Sequence, residues 1–121
     1  FVRRMAEILK ARRVNALNVS IRHSPVDTTS LLAWAVQDVF AFVLYYKQRS
    51  TKAASAEVRA WTRELIDAAL ENGGRYYLPY RLDATREQFR RVYPEAARFS
   101  ALKARVDPAN RFRNLLWDTY L

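Results

Sequence analysis

The chain is 121 residues long, half of them apolar and 13% aromatic, which is enough for one packed core and excludes a disordered tail. It holds no cysteine and one histidine, His23, which excludes a disulfide framework, thiolate chemistry and a histidine-based metal site. The formal net charge of +9 favours anionic partners, yet the lysines and arginines are scattered and form no basic block.

Val2, Met5, Ile8 and Leu9 recur at helical spacing among arginines, so residues 1–13 are predicted as a helix. A start inside a helix, without an initiator methionine, suggests a piece of a longer protein. Ala16–Ser24 alternates, with Leu17, Val19 and Ile21 on a buried side and Asn18, Ser20 and Arg22 on a polar side. That is the pattern of a half-buried strand, and Pro25 ends it. The following run, "LLAWAVQDVFAFVLYYKQR", is rich in β-branched and aromatic residues. It predicts a short strand near Leu31–Ala35 and a longer one near Val39–Lys47, with a buried helix as the alternative for so apolar a stretch. Gln37 and Asp38 interrupt the run, and it is too short to span a bilayer.

From Ala53 to Asn72 the period becomes helical, with Ala54, Val58, Trp61, Leu65 and Ala69 in one apolar stripe. Gly73 stands where such a helix would end. "YYL" (Tyr76–Leu78) predicts a short strand. Thr85 and Gln88 have the spacing of a capping box that opens a helix through Val92. Pro94 can start another helix, with Phe99, Leu102 and Val106 inward and Asp107-Pro108 as its stop. The aromatic tail "NRFRNLLWDTYL" is expected to pack. The order of elements predicts an α+β fold, an antiparallel sheet covered by helices, of ferredoxin-like kind.

Few residues offer chemistry. Both glycines of the chain are Gly73 and Gly74, so no glycine-rich loop can cradle a phosphate. Ser24 beside His23 is adjacency in sequence and makes no nucleophile–base pair. Asp38 and Asp83 are isolated carboxylates, expected as surface charge, and no metal-ligand spacing occurs. The remaining polar groups that could converge are Ser20 and Arg22 on one strand face, His23 at its end, and Tyr77 and Tyr80 after the glycine pair. A purely structural reading stands beside this one, with Gly73 as a helix cap, Gly74 as a turn and the tyrosines as packing residues.

"GGRYYLPYR" followed by "RVYPEAARFSALKARVDPANRFRN" resembles the C-terminal end of flavin-linked oxidases of the vanillyl-alcohol oxidase type. The likeness is greatest to the sugar-lactone and alditol oxidases and to decaprenylphosphoryl-ribose oxidase. Those proteins end in a Gly-Gly-Arg segment, a helix, a Tyr-Pro turn, a second helix and an Asp-Pro-x-x-x-Phe motif, here Asp107 to Phe112. The resemblance covers residues 73–121, and "LNVSIRHS" and "VFAFVLYYKQ" look like strands of the same family's cap domain.

The resemblance implies that residues 1–121 are a single C-terminal cap or substrate-binding region, without the FAD-binding domain that precedes it in the family. Its partners would be that N-terminal domain, FAD and a small-molecule substrate, with no metal and no membrane span. Substrate would be held by Ser20, Arg22, His23 and Tyr77. The family's lysine, five residues after the arginine of Gly-Gly-Arg, is replaced here by Tyr80, which becomes the catalytic expectation. The carboxylate that often accompanies the family's strand arginine is replaced by Ser20. The expected reaction is oxidation of an alcohol or sugar-like substrate by hydride transfer to flavin, in the cytoplasm. The alternatives are a basic nucleic-acid-binding module and a non-catalytic ferredoxin-like interaction domain. The aromatic residues lie mostly in apolar strand contexts, which argues against nucleic acid.

Overall fold

The computed structural model describes residues 1–121. Helix α1 (Val2–Ala11) buries Met5 and Ile8, and Arg13, in the left-handed region at φ 49°, turns the chain into the first strand. Strands β1 (Asn15–Ser24) and β2 (Val39–Lys47) form a two-stranded antiparallel ribbon. Helix α2 (Lys52–Glu71) starts on the Thr51 side chain, which accepts from the Ala54 amide. Helices α3 (Arg86–Val92), α4 (Ala96–Val106) and α5 (Leu115–Tyr120) complete an α+β fold. No helix is long and apolar enough to cross a membrane.

Two small cores share α2. In the first, Met5 and Ile8 of α1 meet Val58, Trp61, Leu65 and Ala68 of α2, and Val19, Phe42, Leu44 and Tyr46 of the ribbon pack against them. In the second, Ile66 of α2 meets Leu78, Phe89, Val92, Tyr93 and Tyr120. The α2 stripe read from the sequence serves the first core, through Val58, Trp61 and Leu65, while the second core takes Ile66 and Leu70, which that stripe does not include.

The ribbon register decides which side chains share a face. Val19 pairs with Leu44, Ile21 with Phe42 and His23 with Phe40, all on the side toward α1 and α2. Ser20 pairs with Val43 and Arg22 with Ala41 on the opposite side. A bulge between Ala16 and Asn18 takes Leu17 out of the ladder. Leu17 and Ile21 are exposed rather than buried, because the bulge displaces the first and the ribbon projects beyond the helices at the second.

Three other expectations change. Leu31–Ala35 is not a strand. Asp27 organises this segment as a loop: its carboxylate accepts from the amides of Thr29 and Ser30 at 2.9 and 3.0 Å, and its own amide donates to Ala35. Ala33 and Ala35 are buried by that loop, so the apolar run reflects packing without a ladder. Tyr76–Leu78 is also irregular: the Tyr93 hydroxyl takes the Tyr76 carbonyl, and no second strand lies alongside. On α4, Leu102 and Val106 face outward, Val106 at 73% exposure. The inward side of α4 is instead Ala96, Phe99 and Lys103, because Trp117 of α5 covers Phe99 and lies under the Lys103 ammonium.

Candidate functional site

Gly73 ends α2 with φ 70°, a conformation that glycine adopts at no steric cost. Its amide donates to Leu70, and that of Gly74 donates back to Ala69 at 2.8 Å, the two bonds of a Schellman motif. A Cβ on Gly74 would lie 3.2 Å from the Ala69 carbonyl oxygen, so the second glycine lets the backbone pass close to the helix end. The turn aims Arg75 into the molecule. Its guanidinium grips both carboxylate oxygens of Glu95, at 3.0 and 3.2 Å, and donates to the Ala33 carbonyl at 2.8 Å. The same group lies over the Tyr93 ring. These bonds tie the loop before β2, the end of α2 and the start of α4 together.

Tyr77 and Tyr80 follow on the surface. Their rings meet edge to face at 5.1 Å, and Tyr77 meets Trp34 in the same way at 5.8 Å. Tyr80 is 69% exposed, and neither phenol has a hydrogen-bond partner in the protein. Ser20 and Arg22 share the ribbon face that no helix covers, beside Ala41 and Val43. Neither side chain is engaged in a hydrogen bond or ion pair. His23 lies on the other face, edge-on to Phe40 at 5.6 Å. The structure thus brings Ser20 and Arg22 together and Tyr77 and Tyr80 together. No hydrogen bond, ion pair or ring contact joins the two pairs, and His23 lies on the other ribbon face.

The sequence reading missed a cluster around Asp83. This carboxylate is buried, not surface charge. Arg81 Nε reaches one oxygen at 2.6 Å, and Arg59 Nε reaches the other at 3.5 Å. Arg63 Nε donates to the Asp83 backbone carbonyl at 2.8 Å. Bonding to Asp83 raises the Arg81 pKa above its ordinary value. Only the i, i+4 spacing of Arg59 and Arg63 hinted at this; the approach of residues 81–83 is a tertiary fact.

The Asp107–Phe112 motif has a local role. The Asp107 carboxylate accepts from the Arg111 and Phe112 amides at 2.9 and 3.0 Å and from the Lys103 ammonium. These bonds hold its pKa down at about 2, with the lysine contact the largest cause. Lys103 also donates to Asn110 Oδ1 at 2.9 Å. The motif therefore stops α4 and fixes the chain that leads to α5.

A hollow of about 780 Å³ opens between the 26–36 loop and α4, beside Leu31, Val36, Arg98, Leu102 and Arg105. None of Ser20, Arg22, His23, Tyr77 and Tyr80 lines it. No group of three or more His, Cys, Asp or Glu side chains is arranged to hold a metal. No protein-family model, curated protein or solved structure matches the chain.

Proposed function

We propose that this chain is the substrate-binding cap region of an FAD-dependent oxidoreductase that oxidises an alcohol or sugar-like substrate. The observation that carries the reading is the uncovered face of the β1–β2 ribbon. One face is clothed by α1 and α2, while the other presents Ser20 and Arg22 with their donors unspent. The small, half-buried side chains of Ala41 and Val43 lie directly across from them, so the face is low there and a flat ring or a sugar can approach. That supports the substrate side of a flavin site. The chain has no glycine-rich loop for the pyrophosphate of FAD, so its hold on that part of the cofactor falls to the N-terminal domain.

Flavin, when bound, supplies the hydride acceptor. The residues of this chain bind and orient. The Arg22 guanidinium offers several donors to substrate oxygens, and the Ser20 hydroxyl adds a short donor and acceptor beside it. Tyr80 is the catalytic residue of this reading, because its exposed and unpaired phenol can exchange a hydrogen bond with a substrate hydroxyl. Tyr77 supports it through their ring contact. His23, on the far face and edge-on to Phe40, contributes only to the shape of the ribbon end. The same reading carries a cytoplasmic location with it.

The test is the rate of flavin reduction by substrate in the intact protein. Arg22→Ala should raise the substrate concentration needed for half-maximal reduction, and Tyr80→Phe should slow reduction at saturating substrate. If both variants reduce at the parental rate and affinity, the ribbon face and Tyr80 play no part and the assignment fails.

A further inference from the structure

We infer that Arg59, Arg63 and Arg81 form a binding site for a phosphate monoester group, separate from the ribbon face. The three guanidiniums come from two elements, with Arg59 and Arg63 one turn apart on α2 and Arg81 on the segment before α3. They converge on Asp83, whose side chain is 5% exposed.

A buried carboxylate needs a compensating cation, and Arg81 alone supplies one through Nε at 2.6 Å and Nη2 at 3.4 Å. Arg59 and Arg63 are then in surplus. No acid other than Asp83 lies within ion-pair distance of any of the three. The cluster therefore carries two positive charges beyond what Asp83 offsets. A phosphate monoester brings a charge of about −1.5 to −2 at neutral pH, which matches that surplus better than a single carboxylate does.

The donors are placed to use it. Arg63 is held through Nε and Arg59 only approaches Asp83 through Nε at 3.5 Å, which leaves the terminal nitrogens of both free to donate. The heads of Arg59 and Arg81 remain open to water, with side-chain exposures of 53% and 42%. The backbone beneath them is fixed, because Gln88 donates to the Arg63 carbonyl at 2.9 Å and closes a capping box with Thr85. Buried Asp83 thus acts as a positioning residue that gathers forked cations, and a phosphate would relieve their mutual repulsion. All three arginines lie outside the ribbon that carries Ser20 and Arg22, on α2 and just before α3, so the site stands independently of the flavin assignment.

The experiment is a titration of the intact protein with inorganic phosphate against chloride at matched ionic strength, read by calorimetry and by the Nε–H resonances of arginine. Saturable binding that moves the signals of Arg59, Arg63 and Arg81, and not that of Arg98, is expected. Arg59→Ala leaves the Arg81–Asp83 bond in place and should weaken phosphate binding by about tenfold, the loss of one charge-assisted contact. Arg98→Ala removes the same charge from α4 and should leave the affinity unchanged. Glycerol phosphate should displace the bound phosphate. Absence of saturable binding, equal losses in the two variants, or displacement by a single-stranded oligonucleotide but not by glycerol phosphate would overturn the proposal. The resonance shifts of the parent protein keep the test decisive even if Arg59→Ala does not fold.

Discussion

The Arg75 guanidinium and the Glu95 carboxylate meet prong to prong, at 3.0 and 3.2 Å, across twenty residues of sequence. The glycine pair makes this possible by ending α2 and turning the chain at once. Because Arg75 also serves the Ala33 carbonyl, Arg75→Ala removes three hydrogen bonds, two of them between full charges. The expected loss is about 2–3 kcal/mol of unfolding free energy, measured by urea titration. Arg75→Lys should recover less than half of it, since an ammonium cannot reproduce the fork.

The two glycines should fail differently. Gly73 sits at φ 70° with open space around its missing side chain, so Gly73→Ala suffers only the backbone penalty, about 1 kcal/mol. Gly73→Asn should be milder, because asparagine tolerates the left-handed region. At Gly74 the penalty is steric, against the Ala69 carbonyl oxygen, and asparagine should offer no relief there. Thermal unfolding of the four variants gives the ordering.

Tyr93 and Tyr76 form a contrasting pair of phenols, ring to ring at 5.6 Å. The Tyr93 hydroxyl donates to the Tyr76 carbonyl, whereas the buried Tyr76 hydroxyl makes no well-formed hydrogen bond and lies near the Tyr120 hydroxyl. Burial raises the pKa of both well above the ordinary phenol value, so both stay neutral across the working range. Tyr93→Phe should cost about 1–2 kcal/mol, while Tyr76→Phe should be neutral or stabilising. A destabilised Tyr76→Phe would mean that its hydroxyl has a partner after all.

Acid should unfold the protein through its bonded carboxylates. Asp107 lies at about 2 against an ordinary 3.8, and Arg75 lowers the Glu95 pKa through its hydrogen bonds. A depressed folded-state pKa stabilises above the unfolded value and loses that contribution as pH falls through the folded one. Stability should therefore be flat above about pH 5 and fall between about pH 4 and 2. Asp107→Asn should lower stability at neutral pH and flatten that acid limb, checked by melting temperature against pH.

Local signals in the sequence carried much of this fold. The Thr85–Gln88 capping box, the Gly73 terminus and the Asp107-Pro108 stop are formed by neighbouring residues, and all three occur where their chemistry predicts. Strand β2 occupies its expected residues, and Ser20 and Arg22 share a face because strand alternation allows no other arrangement. What stayed hidden depends on distant partners. The Leu31–Ala35 run has strand composition, yet Asp27 and Arg75 capture its backbone groups. Leu102 and Val106 fit an inward stripe until Trp117 selects the neighbouring face of α4. Asp83 looked solitary because two of its three arginines arrive from α2, 20 or more residues back, and only Arg81 is a near neighbour in sequence.

The visible absorption spectrum of the intact protein, purified from its native gene, decides whether this chain belongs to a flavoprotein. The cap assignment predicts the two bands of oxidised flavin, bleaching on addition of an alcohol or sugar-like substrate. A colourless protein that neither takes up added FAD nor bleaches it would contradict the assignment. The arginines around Asp83 would then be the first place to look for its ligand.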